Sequence, residues 1–139
     1  MISAILVPMD GSEMSEHALE FALGAFPDAE ITVLHVVGEP TFLLGEATRL
    51  ALADDLEGAA KEQATEVFAR AQELANEHER HLSTDYALGH PARAIVAHAE
   101  DYDLVVIGSH GRDLRSHLLL GDIAQKVSRR SPVPVTIVR

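Results

Sequence analysis

DLVVIGSHGRDLRSHLLLGDI, residues 103–123, joins a short apolar run to a helical segment through a loop punctuated by glycine. Residues 104–107, LVVI, are apolar and mostly β-branched, the composition of a strand buried on both faces. The run ends in Gly108-Ser109-His110-Gly111, and Gly121 follows after nine further residues. Glycines placed in this way clear side chains from a loop, so that backbone N–H groups can approach an anion. Gly121 opens the segment DIAQKVSRR, whose pattern is helical, and a helix N-terminus is itself an anion site. Within that segment Asp122-Ile123-Ala124-Gln125 fits a capping box, which would set the Asp122 carboxylate on the free N–H groups of the first turn.

Outward from this stretch the same alternation of strand and helix continues. Residues 2–8 predict a first strand that turns away at Pro8-Met9-Asp10-Gly11-Ser12. A helix follows with Leu19, Ala22 or Leu23, and Phe26 on one face, Ser12 or Ser15 as its cap, and Pro27-Asp28 as its stop. Residues 31–37, ITVLHVV, predict a second strand in which His35 reads as a hydrogen-bonded core or edge residue. Gly38, Pro40 and Gly45 mark a loop over 38–45, and a long helix follows over about 46–80, weakened at Gly58. Residues 84–88 predict a third strand; Pro91 then starts a helix whose apolar face continues through Ile95 and Ala99. A last helix over about 122–130 and a fifth strand over 134–138 complete the series.

Apolar strands without polar alternation, separated by helices, indicate an α/β fold with a parallel sheet covered on both faces. Right-handed crossovers make the doubly wound, five-stranded order 3-2-1-4-5 the natural topology. Chain direction then reverses between strands one and four. The crevice at that point lies outside the strand C-termini, between the Asp10 and Gly108 loops. The chain of 139 residues is expected to form a single domain over 1–139, without repeats or linkers.

Composition narrows the function. The formal charge is −11, which argues against general affinity for DNA or RNA. No apolar run approaches the roughly 20 residues of a membrane span, and no basic, apolar leader opens the chain, so a cytoplasmic protein is expected. Cysteine is absent, excluding disulfides and thiolate metal sites. The charge is unevenly placed: residues 1–110 hold 20 acids and 5 bases, while residues 111–139 hold 2 acids and 6 bases. Of the latter bases, Arg112 and Arg115 are close enough in sequence to the glycine loop to meet an anion. Gly108-Ser109-His110-Gly111 is not G-x-S-x-G, adjacent Ser109 and His110 need not face one another, and no Walker A sequence exists. Neither SGGxDS nor HIGH occurs, so no dedicated catalysis is expected. The pairs His78/His81 and His110/His117 read as surface histidines, for no HExxH or carboxylate cluster supports a metal. Two tyrosines and no tryptophan leave little to cover a flavin ring, which disfavours a flavodoxin-like electron carrier.

Nearly the whole chain resembles the universal stress protein family. The likeness is carried by VPMDGSEMSEHAL at 7–19, VLHVV at 33–37, GHP at 89–91, VVIGSHGR at 105–112, LLLG at 118–121 and SPVPVTIV at 131–138. The spacing G-x-x-G, nine residues, G is that of the family's nucleotide-binding branch. The resemblance implies that Pro8, Met9, Asp10 and Val36 surround adenine and ribose. It places the phosphates on Gly108, Gly111, Gly121 and Asp122, and Ser109, Arg112 and Ile123 complete the expected nucleotide-binding set. It further implies an adenine-nucleotide-binding regulatory or stress-response module taking ATP, ADP or AMP, with a homodimer formed through the C-terminal strand, 134–138. The alternative is a stress-protective interaction module of the same fold with an idle pocket. One departure stands out: Asp122 occupies the position of the branch's Ser or Thr. Two unit charges about 4 Å apart repel by roughly 4 kcal/mol at an effective dielectric near 20. Weak metal-free ATP binding is therefore expected, with AMP tolerated as well or better, unless Asp122 holds a Mg²⁺ that bridges to the phosphates.

Overall fold

The computed structural model describes residues 1–38, 46–111 and 120–139. Arg112, Arg115, His117 and all but Gly38 of the expected 38–45 loop lie outside these residues. Five strands, β1 (Ala4–Pro8), β2 (Glu30–Val37), β3 (Ser83–Leu88), β4 (Leu104–Gly108) and β5 (Val135–Val138), form one sheet in the order β3-β2-β1-β4-β5. Every pairing is parallel; Ile5 lies opposite both Ile31 and Leu104, and Val106 lies opposite Thr136. The helices are α1 (Glu13–Ala25), α2 (Glu46–Glu77), α3 (Pro91–Ala99) and α4 (Asp122–Arg130). This is the doubly wound fold that the apolar strands imply, with order 3-2-1-4-5. Among the described residues no helix is long and apolar enough to cross a membrane.

Each central strand feeds two cores, which explains its lack of polar alternation. Ile5, Val7, Ile31, Val33, Leu104 and Val106 pack with Leu19, Leu23, Val67, Ala71 and Leu74 of α1 and α2. Leu6, Leu34, Val105 and Ile107 pack with Ala92, Ile95, Ala99 and Val127 of α3 and α4. Each such Leu, Ile or Val contributes about 1.5–3 kcal/mol by leaving water.

Local chemistry sets the element ends. Ser12 caps α1, its Oγ accepting from Ser15 N at 3.2 Å, and Pro91 occupies the first turn of α3. After α2 the chain reverses through a Schellman motif: Arg80 N donates to Ala75 O at 2.9 Å and Glu79 N to Asn76 O at 3.0 Å. The left-handed residue of that motif is Glu79, at φ 54°, where glycine is the usual occupant. Arg80 then ties α2 to the α1–β2 connection, its guanidinium donating to Leu23 O at 2.8 Å and Ala29 O at 2.6 Å. At the same N-terminal end of the strands, the Asp103 carboxylate accepts from Ser3 N, Ser3 Oγ and Ala4 N at 2.9–3.0 Å, joining β4 to β1.

The start of α4 differs from the expected capping box. Gly121 is the N-cap and Asp122 the first helical residue, with no side-chain hydrogen bond at the cap. Gly121 N donates to Ser109 O at 2.6 Å, a bond that fixes the cap one residue early. The Asp122 carboxylate instead pairs with Lys126 Nζ at 3.0 Å, one turn along, and Gln125 Nε2 donates to Leu120 O at 2.9 Å.

Candidate functional site

The order β3-β2-β1-β4-β5 puts the reversal of winding between β1 and β4, and a cleft of about 740 Å³ opens beyond the C-terminal ends of β1, β2 and β4. Its apolar walls are Val36 and Val37 from β2, Pro91 and Ile95 from α3, Ile107 from β4, and Leu120 and Ile123 at the start of α4. Polar side chains among the described lining residues are few: Asp10, Ser15, His35, Gln63, His110 and Asp122, together with the first turn of α4. Of the residues expected to hold a ligand, Pro8, Met9, Asp10, Val36, Gly108, Gly111, Gly121, Asp122 and Ile123 all line this cleft. Ser109 does not, and it is buried. Arg112 lies outside the described residues.

Hydrogen bonds from the sheet build the β1 side. Met9 N donates to Leu34 O at 2.9 Å, continuing the ladder past the end of β1. Met9 O in turn accepts from His35 Nδ1 at 2.8 Å, so the histidine expected in the core or at an edge is buried, bonded and part of the cleft wall. Asp10 then faces the glycine loop, Oδ1 accepting from Ser12 N at 2.9 Å. Gly11, at φ 83°, makes the turn that brings Ser12 into place.

The three glycines of the loop do different jobs. A Cβ on Gly108 would lie 2.8 Å from Met14 Cγ and 3.1 Å from Met14 O, so this glycine lets β4 approach the start of α1. A side chain at this position would meet α1 whether or not a phosphate lies nearby. Gly111 faces the Asp10 carboxylate, whose Oδ2 would be 2.6 Å from an added Cβ. Gly121 approaches Ser109 O and His110 Cα, each 3.1 Å from where its Cβ would be. Its N–H is already donated to Ser109 O, and Ser109 N donates to Val138 O at 2.8 Å. Neither amide is free for an anion. The first turn of α4, where no side chain caps the helix, offers such donors.

Ser109 and His110 do face one another: Ser109 Oγ lies 2.9 Å from His110 Nδ1. Such a contact is one element of nucleophile activation. Here the hydroxyl is buried and off the cleft wall, while the imidazole lines it. Sequence reasoning missed His35, Gln63, Pro91, Ile95 and His110 as wall residues. For His35 a signal existed: it stands near the C-terminal end of a strand next to the reversal point, where side chains border the crevice.

A cleft of this size suits a nucleotide, with apolar walls for a base and an uncapped helix start for an anion. A metal finds less. Among the described residues no group of three or more His, Cys, Asp or Glu is placed to hold one. Mg²⁺ there would depend on Asp10 or Asp122 together with water and the ligand's own phosphates.

Comparison with known proteins agrees with this architecture. The model of the Universal stress protein family matches residues 1–139. Universal stress protein YxiE of Bacillus subtilis is 34% identical over 148 aligned positions, covering 100% of each chain. The structure of universal stress protein UspA from Lactobacillus plantarum superposes with a TM-score of 0.84 at 26% identity, covering 99% of this chain and 98% of that one. A universal stress protein solved in complex with cAMP shares the fold at a TM-score of 0.72 and 24% identity, over 99% and 97% of the two chains. On its sequence, sheet order and match over the full length, the chain belongs to the universal stress protein family.

Proposed function

We propose that this protein is a stress-response module that binds an adenine nucleotide and carries no dedicated catalysis. The observation that carries the reading is the cleft at the reversal point, which ends on the uncapped start of α4. Val36, Ile95, Ile107 and Ile123 offer apolar faces to a purine, and Asp10 accepts from a ribose hydroxyl. The first-turn N–H groups of α4 meet a phosphate. That the same fold holds cAMP in another family member supports an adenine ligand.

The charge of the walls bears on phosphate number. Among the described lining residues the carboxylates are Asp10 and Asp122, and neither Lys nor Arg lines the cleft. AMP or another singly phosphorylated nucleotide therefore binds at least as well as ATP, and Mg²⁺ helps ATP more than AMP. The protein acts in the cytoplasm as a homodimer formed through β5, a sheet-edge strand with all four residues only partly buried. One observation favours a second reading, an interaction module with an idle pocket: Gly121 spends its N–H on Ser109 rather than leaving it for a ligand.

Titration calorimetry with AMP, cAMP, ADP and ATP, with and without magnesium, tests the reading. Identification of any nucleotide released on denaturation complements it. Binding of AMP in the micromolar range supports it, and no heat from any of the four with no released nucleotide favours the idle pocket. Sedimentation of the intact chain and of a chain ending at residue 133 tests the dimer; a monomer in both removes it.

A further inference from the structure

We propose that His35 Nε2 is the cleft's dedicated hydrogen-bond acceptor, reading a donor on the bound nucleotide; this rests on the nucleotide reading above and assigns a residue to it. The tautomer of His35 is set by the partner of Nδ1. His35 Nδ1 lies 2.8 Å from Met9 O, and a backbone carbonyl can only accept. Nδ1 therefore carries the hydrogen, and in the neutral ring Nε2 presents a lone pair. The residue is 3% exposed, in a strand whose register sets it opposite Tyr86. It is thus a fixed group rather than a mobile surface imidazole.

Among the described residues Nε2 has no partner, and no fully enclosed side-chain nitrogen or oxygen is left without one. A buried histidine needed only to hold Met9 would have its second nitrogen either paired or sealed in apolar packing, with the cost that such burial brings. Here His35 borders the cleft, so a nitrogen without a described partner has that space to meet. An acceptor so placed discriminates by leaving itself unpaired when the ligand lacks a donor, the more selective direction of hydrogen-bond recognition. Two groups of an adenine nucleotide can supply the donor, a ribose hydroxyl and the exocyclic amine of the base.

The test uses His35→Asn, whose amide N–H can keep the bond to Met9 O while removing Nε2. Calorimetry on wild type and variant uses AMP, 2′-deoxy-AMP, 3′-deoxy-AMP and purine riboside 5′-monophosphate, which lacks the amine. The variant is expected to bind AMP about fivefold to tenfold more weakly. One analogue should show the same loss with wild type and no further loss with the variant, which identifies the donor. Equal AMP affinity in wild type and variant overturns the assignment to His35 and leaves the nucleotide reading standing. No AMP binding by wild type overturns both. Should the variant fold poorly, long-range ¹H–¹⁵N spectra of the wild-type imidazole decide instead. An Nδ1–H tautomer whose Nε2 resonance shifts on AMP addition supports the proposal; an Nε2–H tautomer, or no shift at saturation, overturns it.

Discussion

Replacing Gly108 by alanine separates two explanations for a glycine that follows a buried strand. If the position serves ligand approach alone, alanine leaves the empty protein intact and weakens binding. The structure argues otherwise. The added Cβ would stand 2.8 Å from Met14 Cγ, which can swing aside, but also 3.1 Å from Met14 O and 3.2 Å from Met14 C, which belong to the backbone of α1. Relief requires α1 to move off β4, and overpacking of this kind costs about 1–3 kcal/mol. Against it stands the reduced freedom of the unfolded chain, worth about 0.4–1 kcal/mol, because Gly108 does not adopt a positive φ that alanine would resist. The clash wins by about 1–2 kcal/mol, which for a chain of this size lowers the melting temperature by roughly 3–10 °C. Gly111→Ala is the internal control. Among the described residues its Cβ would meet the Asp10 side chain alone, Oδ2 at 2.6 Å, the end of an exposed side chain that can rotate. Stability should then change by less than about 1 kcal/mol, the scale of the Asp10–Ser12 bond that the rotation loosens, while Asp10 is displaced within the cleft. Thermal unfolding of the three ligand-free proteins is the assay. A Gly108→Ala variant that melts at or above wild type, or a Gly111→Ala variant that loses as much, would refute the packing argument.

Glu79→Gly is expected to stabilise the protein by about 0.5–1 kcal/mol, since a left-handed non-glycine costs about 1–2 kcal/mol and glycine's extra chain entropy returns part of it; an unchanged or lower denaturation midpoint refutes this. Asp103 is held below its ordinary value near 3.8 by hydrogen bonds from Ser3 N, Ser3 Oγ and Ala4 N. Its folded value being depressed, its contribution is present above that pH and lost as pH falls through the folded value. Asp103→Ala should therefore melt below wild type at pH 7, with the gap narrowing toward pH 3; a gap that is constant or widens in acid counts against it. Asp122→Ser should raise metal-free ATP affinity by no more than about fivefold. A 77% exposed carboxylate already paired with Lys126 opposes a phosphate at about 4 Å by roughly 1 kcal/mol in a water-like dielectric. A gain near a thousandfold in calorimetry would mean that the carboxylate is neither screened nor paired when ligand is bound.

That last estimate differs from the one read off the sequence because of a single residue of register. Asp122-Ile123-Ala124-Gln125 satisfies the capping pattern, and nothing local says whether Asp122 or its neighbour holds the cap. The choice is made by Ser109 O, which takes the Gly121 N–H and so begins the helix at Asp122. Moved to the first helical position, the carboxylate pairs with Lys126 and is largely exposed, so it would not oppose a phosphate there in a low dielectric.

The same division runs through the fold. Strands such as 104–107 are legible because a parallel strand buried on both faces must be an unbroken apolar run, a property of its own residues. The sheet order is legible because handedness leaves few alternatives. Gly108 is not, since a close approach to Met14 and a close approach to an anion demand the same absence of side chain, and only the position of α1 tells them apart. His35 is the subtler case. Burial and a hydrogen bond follow from its place in a strand, but a core histidine and a cleft histidine differ only in where the second nitrogen emerges. That depends on Met9 extending the ladder beyond β1, so that its carbonyl takes Nδ1 and only Nε2 is left for any further partner. What the sequence leaves open at this site is therefore not which residues gather but which of their polar atoms the protein has already used. In a site with so few polar groups that difference decides what a ligand can find there.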